Sequence, residues 1–482
     1  MSLLQNSNAI SAGGYDINNS LRFRSSASAY LSRTPASAGN QNTWTWSNWI
    51  KRGALNAAQD IISTSLTGTS NLVLASLYFD ASGTLTFFQY TSSTVYTNLI
   101  TTQVFRDPSA WYHIVVAYDS TQTTASDRVK FYINGILQTI NNTTYPSLNY
   151  ETKINASSIP QQIGAGAQVN FNGSMSHIHF IDGTAYDASA FGQADANGVW
   201  TIKASPSVTY GTNGFFILKD GNSVTDQSGN GNNFTVGGGT LTNTEDNPSN
   251  VFCTMNPLAT SSYGTLVNGN TVAQGNTNVD YGHSFSTLST GSSGKYYWEV
   301  YIENYTGTSP FLGIGNDDNP NIGRAINNTA AVSPGESNYV SPSFHIQNNG
   351  QINIAGSVTA TYDSYTKGDW ISFAVDMDNG ACYLAKNGTW MNSGVPTSGA
   401  SKTGAITTWT AGSISGFLAY AAVYFGASGV GGNSEAAFNF GNGYYGSVAV
   451  ASAGTNASGN GIFEYDVPTG YTALCTKGLN GE

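Results

Sequence analysis

The run WISFAVDMDNGACYLAKNGTW, Trp370 to Trp390, decides how this chain folds. Ile371, Phe373 and Val375 alternate with Ser372 and Ala374, and a strand sends successive side chains to opposite faces, so one face of the run is apolar. Asp378-Asn379-Gly380 follows, three residues that tolerate the backbone angles of a tight reversal. The returning run closes on Asn387-Gly388, a second turn signal. The whole reads as a β-hairpin. A counterpart, WYHIVVAYDSTQTTASDRVKFYINGI, extends from Trp111 to Ile136, where Val129, Phe131 and Ile133 alternate with Lys130 and Tyr132 ahead of Asn134-Gly135. Two such hairpins ~250 residues apart exceed the span of one ordinary domain and predict two sandwich-like domains.

Composition agrees with an all-β chain. Charged residues make up 9%, against ~25% in ordinary soluble proteins, and Ser, Thr and Asn carry most of the polarity beside 55 glycines. No heptad and no long 3.6-residue apolar period occurs, so the fold class is two tandem antiparallel β-sandwiches of jelly-roll type. A net charge of -11 with scattered basic residues removes the electrostatic attraction that nucleic-acid binding needs. No apolar run reaches the ~20 residues that span a bilayer. MSLLQNSNAISAGG lacks the basic start and apolar core of a secretory signal, so synthesis in the cytoplasm without membrane insertion is expected. Cys253, Cys382 and Cys475 are an odd number without C-x-x-C spacing and read as small buried thiols.

Four segments follow from the density of apolar alternation. Residues 1–14 precede the first recognisable strand, residues 15–190 form a first sandwich, residues 191–250 form a connector with short strands, and residues 251–482 form a second sandwich. The connector assignment rests on DQSGNGNNFTVGGGTLTNTEDNPSN, where turn signals crowd together. In KYYWEVYIE, Tyr296, Trp298, Val300 and Ile302 share the core face, while Tyr297, Glu299, Tyr301 and Glu303 share a face expected to be wet.

The stretch LRFRSSASAYLSRTPASAGNQNTWTWSNWIKR, followed by WYHIVVAYDS and VKFYINGILQ, resembles the laminin G-like, concanavalin A-like domains of bacteriophage virion proteins. The second half, with GKYYWEVYIE, FLGIGN, DWISFAVDMDNGACYLAKNGTW, AAFNFGNG and the closing VPTGYTALCT, resembles the SPRY domain, and the ending is similar to phage copies. These resemblances imply binding modules rather than a fixed chemistry, because both folds host many ligands. They imply a virion appendage, as tail fibre, tail knob or capsid decoration, that meets a glycan or protein of the host surface. Other virion proteins are the remaining partners, in a homo-oligomer or a symmetric array on the particle. Leu3, Leu4 and Ile10 lie in an uncharged start that a free tail would leave in water, so residues 1–14 are expected to be an arm packed on another virion protein or a symmetry mate.

Catalysis is weighed against this expectation. Some concanavalin A-like glycanases carry Glu-x-Asp-x-x-Glu on one strand, a pattern missing here. Among eight glutamates, Glu299 and Glu303 are the one close pair, and at ~3.3 Å per residue they stand ~13 Å apart. Retaining glycosidases need ~5–5.5 Å and inverting ones ~6.5–9.5 Å. Asp376 and Asp378, ~6.6 Å apart if extended, flank a turn where Asp accepts backbone hydrogen bonds. The chain is therefore expected not to be an enzyme, with a polysaccharide depolymerase and a purely architectural decoration protein as the alternatives.

GNDDNPN (Gly315 to Asn321) and DMDNG cluster oxygen ligands of the sort calcium takes, without the spacing of an EF-hand loop. Asp376 and Asp378 are the candidate metal ligands, and no cofactor other than calcium is expected. His177 and His179 lack a third zinc ligand placed nearby by sequence and read as a half-exposed strand pair. Trp44, Trp46, Trp111, Trp298 and Trp370 sit in apolar strand patterns and read as core. Tyr305 and Trp390, beside turns, together with Asn316, Asp317 and Asp318, are the candidate ligand-binding residues.

Overall fold

The computed structural model describes residues 15–481 apart from 67–72, 92–93, 220–222, 276–280, 306–309, 320–321, 323–332, 338, 340 and 428–429. The expected attachment arm, with Leu3, Leu4 and Ile10, lies outside the described residues. Strands dominate, and helix among the described residues is confined to short turns such as Thr476–Leu479. The chain divides into two compact units between Ser249 and Asn250.

The first unit packs two antiparallel sheets face to face. One runs, in spatial order, through Ile136–Leu137, Val129–Ile133, Trp111–Asp119, Thr43–Arg52, Gly173–Asp182, Ser20–Phe23 and Thr242–Thr244. The other runs through Ile140–Thr144, Thr94–Val104, Thr84–Thr91, Val73–Phe79, Gln59–Leu66, Gln161–Ile163, Tyr30–Arg33 and Thr235–Gly237. Trp44, Trp46, Val116, Phe131 and Phe180 of the first sheet meet Ile62, Leu77, Phe87 and Leu99 of the second in one core. The alternation in VKFYI thus sends Val129, Phe131 and Ile133 inward, as expected.

Residues 191–249 do carry short strands, and these belong to the first unit. Phe215–Ile217 pairs with Gly173–Asp182, Thr235–Gly237 with Tyr30–Arg33, and Thr242–Thr244 with Ser20–Phe23. Phe215, Ile217, Leu218 and Phe234 are core residues. The glycine- and asparagine-rich run is itself a folded lock. The Asp226 carboxylate accepts from the amides of Phe216, Ser228 and Asn232 at 2.8–2.9 Å. The amide side chains of Asn230 and Asn232 both donate to the Gly214 carbonyl.

The second unit repeats the plan with different strand order. One sheet runs through Met255–Thr260, Gly282–Ser289, Phe417–Val423, Phe311–Asn316, Phe344–Ile346, Gln351–Ile354 and Ser357–Thr361. Its partner runs through Gly264–Val267, Val272–Gly275, Val430–Asn439, Lys295–Tyr305, Trp370–Asp376, Ala381–Lys386 and Thr389–Trp390. Trp298 stacks on Phe373 at 5.3 Å within the core between them.

Both faces of the strand Lys295–Tyr305 are buried over its first half, which corrects the expected wet face. Tyr297 is 1% and Glu299 0% exposed. The chain returns over that face near its end, where Phe463, Val467, Tyr471 and Ala473 pack on Tyr297, Ala374 and Tyr383. Thr472–Ala473 pairs in parallel with Tyr296–Tyr297, which fixes this cover to the sheet.

Candidate functional site

The residues singled out in the second unit do not converge. Tyr305 packs against the core between the sheets, and its hydroxyl accepts from Asn348 at 2.7 Å. Trp390 packs on the opposite face, against the cluster of Tyr297 and Phe463. Asp317 is 6% exposed, and its carboxylate accepts from Ser289 and Ser415, both at 2.5 Å. The Asn316 backbone N–H donates to the Ser343 hydroxyl, and Asp318 is exposed beside it.

The two hairpin aspartates serve the turn. Asp376 is fully buried, pairs with Lys295 at 3.0 Å and accepts from both the amide and the side chain of Asn379. Asp378 accepts from the Gly294 amide at 2.7 Å. The three cysteines are buried thiols outside any disulfide, and burial pushes Cys475 up to about 11. In the first unit, His177 and His179 are 2% and 3% exposed rather than half-exposed. The reason is a bulge between Ser176 and His179, with His177 at φ 47°, which turns both rings onto Phe216 under the segment that follows.

A different group of side chains does converge, where the cover over Lys295–Tyr305 ends. Tyr301 and Trp370 are cross-strand partners on the face that carries Glu299. Their rings lie 5.1 Å apart, and Tyr445 contacts both, at 4.7 Å from Tyr301 and 4.6 Å from Trp370. Tyr465 stands edge-on to Trp370 at 6.3 Å. Trp370 is 6% exposed and forms the floor, while the three tyrosines around it are half-buried. Such rings present an apolar body and a polar tip to the same solvent-facing patch.

Local sequence places each ring. Asn387 and Gly388 adopt φ of 47° and 79°, the left-handed pair that a tight hairpin turn requires, so the chain reverses beside Trp370. A side chain at Gly388 would sit 2.6 Å from the Tyr465 ring, so glycine leaves room for that ring over the turn. The Asn387 side-chain oxygen accepts from the Trp370 amide at 2.8 Å. Its nitrogen donates to Asp369 at 2.7 Å, and Asp369 also pairs with Lys386 at 3.2 Å. Burial alone would raise the Asp369 carboxyl, but bonds from Asn387, Thr366 and Lys386 hold it below its ordinary value. An exposed asparagine and a half-buried ion pair thus rim an aromatic floor.

Glu299 lies just inside, under the cover. Oε1 accepts from the Tyr297 hydroxyl and the Tyr465 amide, both at 2.9 Å. Oε2 accepts from the Glu464 amide at 2.8 Å and from Asn439 at 3.3 Å. Burial pushes its carboxyl up to about 7 against these four donors, which favour the charged form. Sequence reasoning placed Trp370 in the core and missed the cluster, because Tyr445 and Tyr465 come from a segment with no strand periodicity. The repeated Asn-Gly after each hairpin was the available signal.

The family comparison agrees with the fold of the first unit. Residues 25–190 match the laminin G-like family model described as the concanavalin A-like lectin/glucanases superfamily. No curated protein sequence matches the chain. Among solved structures, the SPRY domain of human HERC1 is similar at 14% identity and a TM-score of 0.28, covering 38% of this chain and 96% of that one. The heptameric SAP-like pentraxin of Limulus polyphemus is similar at 15% identity and 0.32, covering 48% and 96%. Domains LG4-5 of the mouse laminin alpha1 chain are similar at 10% identity and 0.30, covering 91% and 90%.

Proposed function

We propose that this chain is a non-catalytic glycan-binding protein of a bacteriophage surface, in a tail fibre, tail knob or capsid decoration, and that its second unit binds sugar on the Tyr301, Trp370, Tyr445 and Tyr465 platform. The platform is the observation that carries the reading. A sugar ring offers an apolar face and a rim of hydroxyls. Aromatic rings rimmed by Asn387, Asp369 and Lys386 match both, since binding sites pair apolar lining with a few fixed polar groups. The lectin-type model over residues 25–190 supports a glycan rather than a peptide as ligand for the chain as a whole. The resemblance of LRFRSSASAYLSR and VPTGYTALCT to phage sequences, and a surface poor in charge, support the particle as its setting.

Absence of catalysis is part of the proposal. Glu299 is fully covered, and the Asp376 carboxylate is committed to Lys295 and Asn379. The test is a glycan array probed with the whole chain and with Tyr445→Ala, a half-buried ring outside the main strands. Binding to a defined glycan that falls at least tenfold, ~1.4 kcal/mol, in the variant is the expected result. Unchanged binding would remove the platform from the reading. Release of reducing sugar from the bound polysaccharide would replace it with the depolymerase alternative.

A further inference from the structure

The buried acid beneath the platform ties the covering segment to the sheet. Glu299 sits on the sheet, whereas Tyr465 comes from the covering segment, and the link between them is the bond from the Tyr465 amide to Oε1 at 2.9 Å. The neighbouring Glu464 amide reaches Oε2 at 2.8 Å. Two successive backbone N–H groups therefore clasp one carboxylate, and the ring that follows is held over Gly388 and against Trp370. We infer that Glu299 is a positioning residue for the glycan platform, acting through its clasp on the Glu464 and Tyr465 amides to fix the Tyr465 ring. The inference rests on the platform reading for its function, though not for its geometry.

The groups facing Glu299 make the clasp sensitive to protonation. They are Tyr297 on its own strand, Ser372 and Asn439 on the strands at either side, and Glu464 and Tyr465 above. Among the described residues no lysine or arginine bonds to it. Four of its neighbours donate, so a proton on either oxygen meets a donor. The Tyr297 hydroxyl alone can reverse and accept it. That reversal places the proton on Oε1, the oxygen that holds Tyr465. A neutral carboxyl accepts more weakly than a carboxylate, so the hold on Tyr465 loosens. Burial under the cover is what raises the carboxyl to about 7, so the protonated form favours the closed cover as a whole even while that one bond weakens, and the clasp is tested where Glu299 is charged.

The test reads position first and binding second. Hydrogen exchange at the Glu464 and Tyr465 amides is compared between the wild type and Glu299→Gln at pH 8.5, where the wild-type carboxylate is charged. In the glutamine variant one oxygen becomes an amide NH2 that faces an N–H. Protection of at least one of the two amides is expected to fall at least tenfold, ~1.4 kcal/mol, in the variant. Protection of the Trp370–Asp376 strand stays constant and guards against global unfolding. Glycan affinity should fall in the same variant. Unchanged protection of both 464 and 465 would overturn the inference. Lost protection together with Tyr465→Ala binding as well as the wild type would leave Glu299 as the anchor of the ring and sink the platform reading instead.

Discussion

His113 and Trp370 occupy the same place in their hairpins. Asn134 accepts from the His113 amide at 2.8 Å just as Asn387 does from that of Trp370, and each is followed by a left-handed glycine. Each glycine is covered by a later aromatic ring, Trp200 over Gly135 and Tyr465 over Gly388. The sequence suggests matching Trp111 with Trp370, two residues out of step, because apolar alternation shows a strand's faces and not its register. The Asn-Gly turns show the register. His113 also explains an expected pH dependence. Its Nδ1 accepts from Trp200 at 2.9 Å and its Nε2 contacts Ser47 at 2.9 Å, so the neutral ring is the one that fits. Burial lowers His113 and His177 to about 3, and His179 falls well below its ordinary 6.5. A lowered imidazole contributes stability that is complete above 6.5 and drains away as pH falls toward 3, at up to ~1.4 kcal/mol per pH unit for each ring. Asp60 and Glu245, raised by burial, act oppositely, two groups against three. In the second unit His345, lowered by burial to about 4, is offset by Glu299, whose raised carboxyl contributes stability below 4.5 that is lost as pH rises through about 7. Urea titrations followed by hydrogen exchange should show the first unit weakening from pH 7 to 5 while the second changes little. Equal loss in both units would contradict this assignment. Phe373→Ala and Phe131→Ala should each cost ~3–5 kcal/mol as buried large-to-small changes, with Ser372→Ala well below either by the same titration.

At the scale of elements, the hairpins were legible and the segment after each sandwich strand set was not. Period-two alternation in VKFYI and WISFAVD marks the core face of each strand directly, and on those faces Val116 pairs with Phe131 and Phe373 with Leu384. Nothing comparable marks 191–249, whose strands are three residues long and whose order comes from amides and carboxylates rather than from apolar pattern. The same holds for the cover of residues 440–475, which buries Glu299 and brings Tyr465 to the platform. Composition counts Gly, Asn and Ser as poor in buried surface, yet a buried Asp that satisfies three backbone amides orders such a run as firmly as a strand ladder. Asp226→Ala leaves the Phe216, Ser228 and Asn232 amides without that acceptor. The expected cost is ~1.5–3 kcal/mol, the range for hydrogen bonds to a charged group. Amide exchange at Phe215–Ile217 should accelerate by ~10-fold or more, with Trp111–Asp119 unaffected. A variant that exchanges like the wild type at 215–217 would show that strand pairing alone holds the segment.

For the whole molecule, the question is where the first unit ends. The recognised family pattern spans residues 25–190, and the apolar density of the sequence falls at the same place, so both point to a domain closing near 190. The core does not close there. Phe215, Ile217, Leu218 and Phe234 lie within it at 3% exposure or less, and Thr242–Thr244 covers the edge of Ser20–Phe23. Asp246, still later, pairs with buried Lys51 at 2.8 Å. Each of the four apolar side chains contributes ~1.5–3 kcal/mol on full burial, roughly 6–12 together. A domain of this size has ~5–15 kcal/mol in all. Removal of residues beyond 190 therefore takes most of the available stability and also removes the Asp246 partner of buried Lys51. A chain of residues 15–249 should unfold in one cooperative transition, whereas residues 15–190 should bind hydrophobic dye, lose near-ultraviolet dichroism and aggregate. Cooperative unfolding of the shorter chain with the midpoint of the longer one would mean that 191–249 is an ornament on a complete sandwich.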